Sequence, residues 1–386
     1  MLASWIASIL LFLAVPIAGG GGTMHVHCDA GDNLQIALDK VAQAGTGRIA
    51  ISGVCRGNFT FSGDDLQLDA ASPGATLLAH EAYLPVLHIQ RGRLVAVRGL
   101  RMTEGELGLR AADVGALSVL DAEFKGNQVG LYLEQNTDAF ISNTRIEQNQ
   151  DGGLALRTGA NASLVGGAIS GNGRIGVSLL HGARVALNDT EISGHTEIGL
   201  SVWILCSANL RNVILADNGG AHILARDRAR VQLVSGIAAG AAGDATQIGA
   251  YVSEQSMMAG FSTAEIFGDV IVQDAAYVNL GAVAVHGSFI VSEFGRVRLR
   301  QTAVDGMLLC DSGGDAYCSN TGPLLTAGCP SAPADCQNAV STPADAPTPA
   351  LPAPGEGGLP GDDRPAREIG SGKSGAAPWS VLPKRG

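Results

Sequence analysis

The sequence predicts an all-β fold: a parallel β-solenoid, its strands stacked coil upon coil. Three observations predict it. Gly130, Gly153, Gly176 and Gly199 recur at a constant interval of 23 residues. Each opens a short alternating run, Leu131/Leu133, Leu154/Leu156, Val177/Leu179 and Leu200/Val202. Two further apolar series recur with it, one at the same step through Ala139/Ile141, Ala162/Leu164, Val185/Leu187, Ala208/Leu210 and Val231/Leu233, the other through Phe124, Ile146, Ile169, Ile192 and Leu215, with a first step of 22. Alternation by two is that of a strand; a helix needs a period of about 3.6. Hairpin pairing gives no reason for a fixed step between periods. Stacking each coil on the last does, with equivalent residues about 4.8 Å apart in a parallel sheet.

The chain opens with MLASWIASILLFLAVPIAGGGG. An apolar run from Ile6 to Ala14 followed by small residues reads as a secretory signal over residues 1–20, although it lacks Lys and Arg. The run is short for the roughly 20 residues a span requires, and no later stretch is suited to cross a bilayer. Whether the leader is cleaved or anchors the chain stays open. His25-Val26-His27 has a ligand-like spacing but reads as a frayed terminus, and no metal site is assigned. Next, "GDNLQIALDKVAQAGTG" carries Leu34, Leu38 and Val41 at helical spacing, with Asp32 as N-cap and Gly45 or Gly47 as the stop. A solenoid exposes a raw apolar end, and this helix is assigned to cap it.

"GRIAISGVC", "FTFSGDDLQL" and "RLVAVRGLRM" read as early coils. In the regular coils, turn residues form two ladders. One is Asp121, Asn143, Gly166, Asp189 and Asn212; the other is Asn127, Asn149, Asn172, His195 and Asn218. Stacked side-chain amides can satisfy each other and the backbone groups a bend leaves unpaired. His195 fills an Asn slot and is read as structural. Outward positions set Glu123 against Arg145 and Lys125 against Glu147, pairs worth about 0–1 kcal/mol each. "SGIAAGAAGDATQIG" is expected to bulge out as a loop. Later coils shorten, with Val278 and Val297 19 residues apart. The solenoid domain is placed at 24–321. From Gly322 a Cys-containing stretch passes into a Pro/Ala/Gly-rich tail, expected to be disordered to residue 386.

Composition fits a narrow aliphatic core: hydrophobic residues make 46% but aromatics only 4%, with 53 glycines. A net charge of −11 argues against nucleic acid as a partner. Of seven cysteines, Cys28 and Cys55 are expected to pair, and Cys310, Cys318, Cys329 and Cys336 to form two short-range bonds of unassigned connectivity. Those four lack the CxxC spacing of a zinc knuckle. Cys206 shares the parity of inward Ala208 and reads as a buried, inert thiol.

A capping helix, an "SGVC" strand and coils with N-x-x-x-G turns (Asn149/Gly153, Asn172/Gly176) resemble the right-handed parallel β-helix proteins of the pectin lyase-like superfamily, over roughly residues 28 to 305. The resemblance implies a right-handed coil of about 19–23 residues. The superfamily holds pectate and alginate lyases, polygalacturonases, mannuronan epimerases and catalytically silent surface proteins, so the fold does not choose among them. The polygalacturonase patterns do not assemble: Asn143-Thr144 precedes Arg145, Gly194-His195 precedes Thr196, and Arg174-Ile175 precedes Gly176. The D-P-H-E pattern of the epimerases is absent, as is the acidic cluster with a partnered Arg expected of a calcium-dependent pectate lyase. No cofactor is indicated, calcium included.

The resemblance makes the outward face of the first strand a sugar-binding surface. Down the stack this face reads Arg110, then Tyr132 and Glu134, Arg157, Ser178, Ser201 and Trp203, and Arg226. Aromatic rings stack on sugars and Arg forks take carboxylates bidentately, which suits an acidic polysaccharide. Glu134 is the nearest carboxylate; His181, His222 and Asp227 fall at turns, and no pair has a spacing that demands general acid–base catalysis. The expectation is an exported β-helix protein, secreted, periplasmic or at the cell surface, that contacts polysaccharide as a binding or structural protein. The alternative is a lyase, glycoside hydrolase or uronate epimerase acting on an acidic glycan. Catalytic residues and oligomeric state are not legible.

Overall fold

The structure, a computed structural model, describes residues 22–329 other than 241–247, 262, 312 and 320–324. The chain divides into the units Met1–Val340 and Ser341–Gly386, and the description concerns the first. The leader, Cys336 and the Pro/Ala/Gly-rich tail lie outside the described residues.

Three strands per coil build the fold. The strand that opens each coil joins a sheet of thirteen parallel strands, from Phe59–Ser62 to Leu325–Ala327, called here the front sheet. The remaining two strands of each coil form a second and a third run. These runs are continuous through Arg184–Ser193 and Ser207–Ala216, which turn the corner without a break and join both runs into one sheet.

The apolar alternation sets the register. In the front sheet Leu109, Leu131, Leu154, Val177, Leu200 and Ile223 are stacked directly on one another. Each is at most 1% exposed. The second run stacks Leu117, Ala139, Ala162, Val185, Ala208 and Val231 inward; the third stacks Met102, Phe124, Ile146, Ile169, Ile192 and Leu215. These columns form one continuous core cluster. The repeated glycines are required by space. A Cβ on Gly153 would lie 2.6 Å from the Gly176 carbonyl oxygen and 2.6 Å from Ile169 Cγ2.

The ends of the solenoid differ from expectation in detail. Helix α1 spans Leu34–Ala44 and buries Leu34, Ala37, Leu38 and Val41. Its N-cap is Asn33 rather than Asp32: the Asn33 side chain accepts from Ile36 N at 3.3 Å. Asp32 accepts instead from His27 N at 2.8 Å. Gly45 closes the helix at φ 77°. Met24–His27 is not frayed but a strand, paired in parallel with Thr46–Ser52, because Val26 inserts into the core at 4% exposure. Its two imidazoles stack 6.2 Å apart, and His27 Nδ1 lies 2.7 Å from Ser52 Oγ.

Two other boundaries shift. The stretch expected to be a loop starts with strand residues: Ile237 and Ala239 point inward and pair with Ala264 and Ile266. Only 241–247 lie outside the described residues there. The ladder also runs past residue 321, since Leu325–Ala327 pairs with Met307–Leu309. A Cys310–Cys329 disulfide fastens that last strand, and Cys28–Cys55 ties the first coil. Cys318 is also disulfide-bonded. Cys206 is a free thiol, 1% exposed, and burial pushes its pKa up to about 11.

Candidate functional site

Outward positions on the front sheet form two neighbouring columns. The first reads His88, Arg110, Tyr132, Ala155, Ser178, Ser201 and Leu224 in register. The second, at the strand ends, holds Glu134, Arg157, Leu180, Trp203 and Arg226, the last two continuing the ladder through backbone bonds to Leu179 O and Val202 O. Successive rungs place large side chains at Tyr132 and Leu224 and small ones between them.

The small ones are buried. Ala155, Ser178 and Ser201 are 2%, 5% and 3% exposed, yet they stand outside the core cluster on the outer face of the sheet. Ile175 and Ile198, three residues before Ser178 and Ser201 on their strands, are likewise buried outside that cluster. On the other side stand the half-buried Arg157, Leu180 and Trp203. Flanked by these longer side chains, the three short ones form a covered row across about 10 Å of stacked strands, called here the groove. Sequence reading had placed both serines on an open face. At 5% and 3% exposure both are buried, which alternation does not show.

Most charges at the groove are already matched. Arg110 donates from Nε and Nη2 to Glu134 Oε1, at 2.8 and 2.6 Å. Arg226 pairs with Glu254, and its guanidinium carbon lies 5.0 Å from the Trp203 ring centre. Arg157 lies 5.9 Å from the Tyr132 ring and makes no ion pair among the described residues. The Nε–H groups of Arg157 and Arg226 and the Trp203 indole N–H are buried without hydrogen-bond acceptors. The picture of several free Arg forks is therefore corrected. Carboxylates one rung away neutralise Arg110 and Arg226, leaving Arg157 as the rim cation.

Titratable groups gather at both ends of the groove. Burial lowers the pKa of His88, assisted by the Arg110 charge one rung away. Burial raises Glu106, with Arg110 opposing, and raises Tyr132. At the other end burial and a hydrogen bond with Glu254 raise Asp227; Glu254 itself, although partly desolvated, ends below the usual value through the bond from Arg226. Alongside, Arg174 donates to Glu197 at 2.8 Å, and burial raises Asp151. His88, Glu106 and Glu254 escaped sequence reading. The first two precede the regular 23-residue step and the last follows the irregular segment, so no period points to them.

The ladder residues sit elsewhere, inside the turn before the front strands. Asn127 Nδ2 donates to Asn149 Oδ1 at 3.1 Å, and Asn149 Nδ2 to Asn172 Oδ1 at 2.7 Å. Each also caps a carbonyl, as Asn172 does Ile146 O at 2.9 Å. His195 lies in the same column, and Asn218 accepts from its backbone N at 3.3 Å. Of the turn residues, His222 is fully buried against Asn218 and His181 holds a left-handed turn at φ 57°. Among the described residues no group of three or more metal-ligating side chains gathers.

Residues 107–253, the rungs that carry the groove, match the family model of the right handed beta helix region. The described residues fold as a right-handed parallel β-helix. Two solved structures are similar to this β-helix. One is the crystal structure of pectate lyase Pel9A, at 12% identity and a TM-score of 0.38, covering 80% of each chain. The other is ORF18 of Geobacillus virus E2, at 11% identity and a TM-score of 0.29, covering 78% of this chain and 59% of that one. No curated protein matches the chain. No helix among the described residues is long and apolar enough to cross a membrane, and the disulfides are compatible with an extracellular location.

Proposed function

We propose that the β-helix is exported and binds a polysaccharide chain along the front-sheet groove. One observation carries this reading: outward Ala155, Ser178 and Ser201 are buried between two taller rows. A polymer lying along that row meets Trp203 and Tyr132 as apolar platforms and the Arg157 cation at the rim. With Arg110 and Arg226 neutralised, the groove suits a chain of low charge density. Replacing Trp203 and Arg157 by Ala should abolish retention on an immobilised neutral glycan while the circular dichroism spectrum stays unchanged. Undiminished retention rejects the groove.

A second reading, turnover of an acidic glycan, is favoured by the group at the N-terminal end of the groove. An imidazole at His88 whose pKa burial lowers, a carboxyl at Glu106 whose pKa burial raises and the Arg110–Glu134 pair stand within neighbouring rungs. Such a set can move a proton beside a bound uronate. Incubation with pectate and alginate, followed by absorbance of unsaturated uronate and by reducing-end release, distinguishes turnover from binding.

A further inference from the structure

The groove leaves one outer surface of the β-helix without a role. In the last coils, outward positions of the second run present three arginines on a single strand. Arg296, Arg298 and Arg300 alternate with inward Val297 and Leu299. Their attachment points are therefore about 7 Å apart in a straight row. None of the three makes an ion pair among the described residues, in contrast to Arg101, Arg110, Arg145, Arg174 and Arg226. Asp315 is the rung neighbour of Arg296, yet one of its carboxylate oxygens is buried and unbonded rather than turned onto the cation.

Aromatic rings flank the row. Tyr277 is one rung before Arg296, and Tyr317 one rung after Arg298. The Arg298 guanidinium carbon lies 5.3 Å from the Tyr317 ring centre. Phe294, at the preceding turn, is 71% exposed. With Ala275, Tyr277 and Arg296 it lines a surface depression of about 450 Å³. In a chain with only 4% aromatic residues and a net charge of −11, unpaired arginines and exposed rings converge on these few rungs.

We propose that this face is a binding surface for an anionic polysaccharide, distinct from the front groove and independent of it. The arginine row takes the carboxylates or sulfates of the polymer, since a guanidinium fork matches either oxyanion in two parallel bonds. Tyr277, Phe294 and Tyr317 take the apolar faces of its sugar rings. The row is too long for one small anion. A nucleic acid would also bring charge and rings. The Cys310–Cys329 disulfide in the adjoining coil is compatible with an extracellular location, which favours a polysaccharide over a nucleic acid as the polyanion.

The test uses the full chain and four immobilised polymers: polygalacturonate, a sulfated glycan, a neutral β-glucan and single-stranded DNA. The expected result is retention on an anionic glycan that weakens as salt rises. It should fall at least tenfold in the Arg296→Gln/Arg298→Gln/Arg300→Gln variant and persist in Trp203→Ala, which separates this face from the groove. Preference for the sulfated over the carboxylated polymer would name the anion and support the surface. Equal retention by the triple variant, or tighter retention on DNA than on either anionic glycan, overturns the proposal. If the triple variant fails to fold, Phe294→Ala serves instead: its ring is exposed, and undiminished retention by that variant also overturns the proposal.

Discussion

At the scale of single residues, His195 is the exception that explains its column. Asn149 and Asn172 each offer an Oδ1 that receives the backbone N–H and the side-chain amide of the coil before. An imidazole has no such oxygen, so the amide relay stops at Asn172. Both ring nitrogens instead face carbonyl oxygens, Asn172 O at 3.0 Å and Ile169 O at 3.1 Å. A neutral ring donates only once, leaving one nitrogen lone pair against an oxygen. Burial lowers the His195 pKa against the pull of those carbonyls. The folded state therefore binds the proton less readily than the unfolded state. Its contribution to stability is complete above the unfolded value of 6.5 and is lost as pH falls through the folded one. His195→Asn should restore the relay, raise stability by about 1 kcal/mol and flatten the decline in melting temperature between pH 7 and 5. A melting temperature that falls in the variant, with the same pH slope, would show that the ring does something the amide cannot.

At the scale of strands and turns, the sequence is most readable where one element repeats without interruption. Asn149 and Gly153 could be placed from spacing alone because one contact recurs coil by coil: a Cβ on Gly130 would meet Asn149 Nδ2 at 2.9 Å, and one on Gly153 would meet Asn172 Nδ2 at 3.0 Å. The surface column was legible for the same reason. Glu123 accepts from Arg101 at 2.6 Å and lies 3.4 Å from Arg145, and Lys125 reaches Glu147 at 3.1 Å. What resisted was anything that alternation does not set, or a lone event. Ser178 and Ser201 are outward yet buried, and the Glu254 partner of Arg226 sits beyond a broken period. The ion-pair column should matter little. Its arginines are about half exposed, so Glu123→Gln is expected to cost less than about 1 kcal/mol, and less still in molar salt. The hydrogen bond from Arg101 is the main cause that holds the Glu123 carboxyl below its ordinary value, so its small contribution is present above about pH 4.5 and fades as acid protonates it. A loss of several kcal/mol in chemical denaturation would mean that the column braces the corner between the second and third runs.

At the scale of the whole solenoid, each coil touches mainly its two neighbours, so stability is approximately a sum along one dimension and the ends are where it fails first. The Cys28–Cys55 and Cys310–Cys329 disulfides stand at those ends, closing loops of 27 and 19 residues. On the chain-entropy account each is worth about 3–4 kcal/mol. Cys28→Ser/Cys55→Ser should speed amide exchange in the first coils and leave the coils around Ile192 and Leu215 protected; uniform acceleration would instead mark a single cooperative unit. Cys206 supplies the clock for that distinction. It sits in the middle of the stack, sealed at 1% exposure and with a thiol too basic to react at neutral pH. A thiol-specific label added to the intact protein should wait until the centre itself opens, however often the tips unravel. One cysteine in the centre of the spring thus times its complete uncoiling, separately from the flicker of its ends.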